Sequence, residues 1–294
     1  MRWQNISIIG AGLLGGSLAL ALKRRQWATG VRACVRRDAS LAECRKLEIA
    51  GVITKDLREA VQGAQLVILC TPLSQMAALA AAMRPFLAPG AVVTDVGSVK
   101  GSVVRELEPI VRQAGAEFVG SHPMAGSEKT GVGAARADLF EEAVCLVTPG
   151  RYSSPGAIAG IEEFWRAVGG WPVRLNAEAH DDLVSRSSHL PHVVAAGLVN
   201  YVLSPVHPKE QRLVCANGFR DTTRIASGSP EMWRDIALAN GRNLGRVLGV
   251  FIEDLQEFQL ALERGDAGAI EEFFAHAKER RDGWRAHSPA ASSE

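Results

Sequence analysis

The stretch Ile6-Ser7-Ile8-Ile9-Gly10-Ala11-Gly12-Leu13-Leu14-Gly15 decides how the first half of the chain is read. A short apolar run, Ile6–Ile9, meets three glycines at GxGxxG spacing, and a helical pattern begins near Leu13. Gly10 permits a tight turn, Gly12 lets a pyrophosphate approach the backbone, and Gly15 allows the helix to pack on the strand. The helix start offers free N–H groups and its positive dipole end to phosphates. The strand–turn–helix setting gives the glycine motif its weight as a dinucleotide-binding turn.

Outward from that turn, apolar runs alternate with helical patterns. Ile6–Ile9, Val31–Val35, Leu66–Cys70, Ala91–Val96 and Glu117–Gly120 read as strands, and Leu13–Arg25, Leu57–Val61, Met76–Met83 and Val103–Gln113 as helices. Such alternation predicts α/β architecture, a Rossmann-type doubly wound, mostly parallel sheet. Ala143–Thr148 and Pro172–Leu175 extend the sheet around a helix at Ile158–Val168. Beyond about Asn176 the patterns become helical throughout: Glu178–Leu203, Arg212–Asn217, Pro230–Arg264 and Gly268–Arg285. Ser229 and Pro230 suit the N-cap and first position of a helix. The expected division is a dinucleotide-binding domain over 1–176 and an all-helical domain over 177–294. The latter ends in a short disordered tail, Ser288–Glu294. Val193–Val202 and Ile236–Leu255 carry more apolar surface than one helical layer needs, which leaves a helical core and a homodimer interface as the two readings.

Composition narrows the function classes. The 294 residues hold 33 Lys+Arg against 32 Asp+Glu, so no global field recruits nucleic acid or an anionic membrane. No apolar run reaches the roughly 18–20 residues of a membrane span. The amino terminus runs straight into strand pattern, without the tripartite layout of an export signal. The five cysteines, Cys34, Cys44, Cys70, Cys145 and Cys215, show no CxxC spacing. Neither zinc nor a disulfide framework is expected, which fits a reducing cytoplasm.

The end of the second strand speaks to the cofactor. NAD sites place an acid about 20 residues beyond the glycines to hold the ribose 2′-hydroxyl. Here Val35 falls at that position, followed by Arg36, Arg37 and Asp38. Two arginines suit a 2′-phosphate, so NADP is the preferred cofactor and NAD the alternative. Leu13, Leu14, Thr71 and Ser98 join Gly10, Gly12, Gly15, Arg36 and Arg37 as cofactor-binding candidates.

Two further segments follow strands on the ligand-binding edge of such a sheet: Asp95-Val-Gly-Ser98-Val-Lys-Gly101 and Gly120-Ser-His122-Pro-Met-Ala-Gly126-Ser-Glu128-Lys129. A neutral histidine can accept a hydroxyl proton, and a nearby serine can orient its ring. His189 and His192 lie three apart on a helix pattern and share a face. No HExxH motif or third ligand accompanies them, so no metal is expected. Trp233 reads as core or interface.

With GAGLLGGS, DVGSVKG, GSHPMAGSEKTG, SHLPH and GFRDTTRIASGSPEMWRDI in that order along most of its length, the chain resembles the prephenate/arogenate (cyclohexadienyl) dehydrogenases. The resemblance implies a Rossmann domain joined to a helical dimerisation domain, and a small-molecule substrate oxidised in tyrosine biosynthesis. It implies that His122 partners the ring 4-hydroxyl with Ser98 as its orienting neighbour, and that Arg224 binds a substrate carboxylate. It further implies that His192 contacts the substrate side chain with His189 close by, and that Glu128 and Asp221 belong to a polar network gating the pocket. The family's usual acid after the second strand is missing here. Prephenate and arogenate differ only at a side-chain carbonyl or amine, and the residues do not choose between them.

The implied reaction suits these groups. Neutral His122 draws the hydroxyl proton while hydride leaves C4; carbon dioxide is lost and the ring becomes aromatic. Rate should then rise with pH through an ordinary histidine pKa near ~6.5. Alternatives are another Rossmann-plus-helical dehydrogenase, an imine reductase, or a non-catalytic NADP sensor.

Overall fold

The computed structural model describes residues 3–284; the expected tail Ser288–Glu294 lies outside them. Its sheet contains β1 (Asn5–Ile9), β2 (Gly30–Cys34), β3 (Val52–Thr54), β4 (Leu66–Leu69), β5 (Val92–Asp95), β6 (Glu117–Pro123), β7 (Val144–Pro149) and β8 (Trp171–Arg174). They lie in the order β3-β2-β1-β4-β5-β6-β7-β8. Every neighbouring pair is parallel except β6 and β7, which run antiparallel with His122 opposite Leu146. The strand order reverses between β1 and β4, where doubly wound sheets open their ligand crevice.

Six helices accompany these strands: α1 (Leu13–Arg25), α2 (Asp38–Lys46), α3 (Leu57–Val61), α4 (Leu73–Met83), α5 (Gly101–Arg112) and α6 (Pro155–Ala167). Strand residues alternate between two cores. Ile6, Ile8 and Ile68 join one apolar cluster with Leu18, Leu22 and Trp165, while Ile9, Val67 and Leu69 join another with Met76, Val103 and Leu107. Burial on both faces is why these strands read as continuous apolar runs. The sequence reading missed β3 and α2. β3 has three residues, and of α2 only Cys44 is buried, so neither writes a strong apolar period.

The second half is helical: α7 (Ala177–Val184), α8 (Leu190–Val202), α9 (Asn217–Thr223), α10 (Pro230–Ala239), α11 (Gly241–Arg264) and α12 (Ala267–Gly283). Asn176 caps α7 through the N–H of Ala179 at 2.7 Å, and Ser229 caps α10 through Met232 at 3.4 Å. Three expected boundaries move. Glu178–Leu203 is not one regular helix: Ser185–His189 forms a π-helical turn between α7 and α8. Pro191 lacks the N–H that a regular turn would use here, and the wider turn absorbs that gap. Pro230–Arg264 is two helices, parted at Asn240 before Gly241. Arg212–Asn217 is not helical as a unit; a 3-10 turn ends at Arg212 and α9 begins at Asn217.

The chain forms two compact units, Met1–Asn240 and Gly241–Glu294. In the second, α11 and α12 pair as a hairpin with Phe258 packed on Phe273 at 4.6 Å between ring centroids. Among the described residues no helix is long and apolar enough to cross a membrane.

Candidate active site

At the reversal of strand order the glycines behave as their spacing predicts. Gly10 holds φ +97°, and a Cβ there would come within 2.6 Å of the Cys70 carbonyl oxygen. A Cβ on Gly15 would lie 2.0 Å from the Gly10 carbonyl oxygen, which is how α1 packs so closely on its strand. Gly12, by contrast, faces open space, with nothing within 4 Å of a Cβ. α1 starts without a side-chain cap or an acid in its first turn. Beside it the buried Thr71 hydroxyl has no hydrogen-bond partner among the described residues. An open glycine, uncapped N–H groups and an unpaired hydroxyl together fit a bound phosphate.

The end of β2 keeps the features expected to select the cofactor. Val35 is buried and donates its N–H to Thr54 at 3.0 Å, so it offers nothing to a ribose. Asp38 is taken by Lys55 at 2.7 Å, a hydrogen bond that holds the Asp38 carboxyl below its usual range. Arg36 and Arg37 are exposed.

Three strands away, β5 and β6 carry a closed polar knot. Lys100 and Asp95 are both fully buried and form an ion pair, and Lys100 Nζ also donates to the Ser121 carbonyl at 2.8 Å. The Asp95 carboxylate accepts from the N–H groups of Gly97 and Ser121 at 2.8 and 3.1 Å. The Ser121 hydroxyl donates to the Asp95 carbonyl at 2.7 Å and meets Thr94 Oγ1 at 2.9 Å. This knot holds the end of β5 against β6, and so fixes His122, the next residue along.

His122 lies within β6 rather than after it, and α7 supplies its neighbours. His122 Nδ1 is 2.9 Å from His180 Nε2, and His180 Nδ1 is 2.8 Å from Asp181 Oδ1. Asp181 also accepts from the N–H groups of Lys100 and Gly101 at 2.7 and 2.8 Å, at the start of α5. Burial would raise the Asp181 pKa, yet hydrogen bonds from His180, Lys100 and Gly101 hold it below the usual carboxylate range. Burial, and then the neighbouring His180, Lys100 and His189, push His122 well below an ordinary histidine. That direction moves the expected inflection from near 6.5 to below it and favours the neutral His122 ring.

The other expected residues gather less tightly. Ser98 makes no hydrogen bond to the His122 ring among the described residues; the ring's partner is His180 instead. His189, on the π-helical turn, receives the Asn240 amide at Nδ1, 3.2 Å away, and burial lowers its pKa to about 4. Its Nε2 leans toward the Ser98 backbone without completing a hydrogen bond. His192 donates from Nδ1 to the Ser188 carbonyl at 2.8 Å and stacks on Trp233 with centroids 3.7 Å apart. Trp233, half-buried, thus packs directly against the His192 ring. Arg224 Nη1 reaches Glu128 Oε2 at 3.2 Å, joining two expected residues, while Asp221 is exposed with no ion pair among the described residues.

Sequence reading missed His180, Asp181 and Lys100. The available signal was their placement. His180 and Asp181 sit on the face of α7 shared by Ala177 and Val184, where an apolar side chain is the rule. Lys100 stands inside the segment already singled out around Ser98.

Comparison with known proteins identifies the family. Residues 18–173 match the family described as "Prephenate dehydrogenase, nucleotide-binding domain", and residues 176–279 match "Prephenate dehydrogenase, dimerization domain". The cyclohexadienyl dehydrogenase of Zymomonas mobilis is 35% identical over 283 residues, covering 95% of each chain. The crystal structure of prephenate dehydrogenase from A. aeolicus, in complex with hydroxyphenyl propionate and NAD+, superposes with TM-score 0.89 at 30% identity, covering 96% of this chain and 98% of that one. Synechocystis arogenate dehydrogenase gives TM-score 0.79 at 27% identity, with 95% and 99% covered. A dinucleotide turn, a buried neutral histidine two strands beyond the crevice and these matches along nearly the whole length have one reading: the chain belongs to the prephenate dehydrogenase family of NAD(P)-dependent oxidoreductases.

Proposed function

We propose that His122 accepts the ring 4-hydroxyl proton in the oxidative decarboxylation of prephenate or arogenate, the step of tyrosine biosynthesis that this family performs. The observation that carries the reading is the His122 ring itself. It is buried and neutral, with Nδ1 engaged by His180 and no described residue bonded to Nε2. Only a neutral imidazole with a bare nitrogen can take a proton as hydride departs. The dinucleotide, held by Gly10, Gly12, Leu13, Leu14, Gly15, Thr71 and Ser98, supplies the hydride acceptor when bound. Loss of carbon dioxide makes the ring aromatic and drives the step, so the chain's task is orientation and deprotonation.

Arg224 grips a substrate carboxylate, and Glu128 holds its guanidinium until that carboxylate arrives. His192, braced by Trp233, and His189 face the substrate side chain, and Asp221 completes the polar rim. Arg36 and Arg37 read a 2′-phosphate, because Val35 accepts nothing and Asp38 is occupied by Lys55. NADP is therefore preferred.

The functional division runs at 176/177, one residue inside the start of the second family range, with the helical part forming a homodimer. Supporting the dimer, α8 is strongly apolar yet buries only Ala195, and α11 leaves Val250, Ile252 and Leu255 exposed. The paucity of cysteine pairs suits the cytoplasm.

Steady-state rates with prephenate and arogenate against NAD and NADP test the reading. We expect turnover of at least one substrate and a higher kcat/KM with NADP. No turnover of either substrate would overturn it.

A further inference from the structure

Behind His122 stand two groups that accepting a proton at Nε2 does not by itself require. Asp181 is an ionised carboxylate held by the N–H groups of Lys100 and Gly101. A carboxylate only accepts hydrogen bonds, so the proton between it and His180 resides on His180 Nδ1. Burial keeps His180 neutral, below its ordinary pKa. A neutral ring with a proton on Nδ1 has a bare Nε2, and His180 Nε2 is the atom facing His122 Nδ1 at 2.9 Å. His122 must then donate from Nδ1, which leaves its own Nε2 as the lone-pair nitrogen. The direction of each bond is forced by the one before it.

From this chain of bonds we infer that His180 and Asp181 are positioning residues that fix the tautomer of His122, presenting Nε2 as the base. The inference rests on the reading of His122 as base. When Nε2 takes the hydroxyl proton, the electron pair of the broken O–H bond stays on the substrate oxygen, which becomes the ring carbonyl as hydride leaves. The new imidazolium keeps its Nδ1–H directed at His180, whose far side is anchored on a negative carboxylate. Burial, Lys100 and His189 oppose that charge, and the Asp181 carboxylate reaches the ring only through His180. Asn240 braces the arrangement by donating to the Asp181 carbonyl at 2.8 Å and to His189.

Nitrogen NMR of the imidazole rings in the resting protein reads the tautomer directly. At neutral pH the signal of His122 should show a protonated Nδ1 and a bare Nε2. His180→Gln keeps an oxygen to accept from His122 and an amide to donate to Asp181. It should preserve that signature and most of kcat. His180→Leu should lose the tautomer preference and lower kcat by about ten- to a hundred-fold, the usual cost of removing a group that orients a reacting one, with KM little changed. Should the leucine variant fail to fold, the wild-type and glutamine spectra still decide. A wild-type His122 carrying its proton on Nε2, or a folded His180→Leu protein with normal kcat, would overturn the inference. Absence of turnover in the wild type would instead overturn the assigned reaction, and would leave the tautomer measurement standing.

Discussion

Two buried polar clusters lie side by side on β5, β6 and α7, and they are wired differently. The knot of Asp95, Lys100 and Ser121 closes on itself, each charge answered by another charge or by backbone. The chain of Asp181, His180 and His122 is answered at one end and open at the other. A closed cluster can only hold shape; an open one retains a nitrogen with a lone pair to use. The difference separates scaffold from reagent among residues that are equally buried, which burial alone would not do.

The largest expected effect tests the open end. His122→Asn keeps a polar side chain but removes the base, so kcat should fall by about 10²–10⁴ with KM little changed. Wild-type kcat/KM should be flat across the ordinary histidine range. Its acid limb should lie well below 6.5, because His122 protonates only there. A normal kcat in His122→Asn, or an acid limb centred at 6.5, would remove His122 from the role of base.

Next comes the closed end. Lys100→Met leaves the Asp95 carboxylate buried without its cation, which should cost about 3–5 kcal/mol of stability. The double variant, Asp95→Asn with Lys100→Met, should recover part of that loss, as denaturant unfolding would report. Losing the Lys100 charge also removes one of the groups that depress His122, so the acid limb of kcat/KM should move upward toward 6.5. If the single variant were as stable as wild type, the knot would not be the scaffold it resembles.

The same contrast explains what could be read in advance. The glycine turn was legible because each glycine answers a local requirement, a positive φ at Gly10 or a close approach at Gly15. β1 and β4 were legible because both faces are buried. His122 and Arg224 came from their motifs. His180 and Asp181 did not, because their meaning lies in a contact spanning 58 residues between α7 and β6. Nor did the π-helical turn at Ser185–His189, which aims His189 and departs from the regular helical period. Ser98 was expected to orient His122 because the two are near in the fold; which ring nitrogen was already occupied could only be seen in three dimensions.

Exposed charges extend the comparison to groups that have water on one side. Arg224 is 64% exposed and paired with Glu128; a substrate carboxylate held there, as proposed, would be gripped in ground and transition states alike. Arg224→Ala should chiefly raise KM, by roughly ten- to a hundred-fold, the equivalent of about 1.5–3 kcal/mol for a charge-assisted bond. A fall in kcat at unchanged KM would place Arg224 among the transition-state groups.

The smallest effect is expected at Arg36. Water competes for an exposed guanidinium, and salt screens its charge, so one phosphate contact there should contribute no more than about 1 kcal/mol. Arg36→Ala should therefore raise KM for NADP by about five-fold and leave KM for NAD unchanged, because a ribose 2′-hydroxyl asks nothing of an arginine. Arg37 remains beside it, so Arg36→Ala with Arg37→Ala should widen the gap between the cofactors. The reciprocal change, Val35→Asp, should favour NAD. Position 35 is buried at the end of β2, where an acid can meet a ribose hydroxyl but repels a phosphate. Competition assays with the two cofactors at matched ionic strength read all three variants on one scale. Equal losses for NAD and NADP in Arg36→Ala would show that the arginine serves the shared part of the dinucleotide, and the preference would then have to be sought elsewhere along β2.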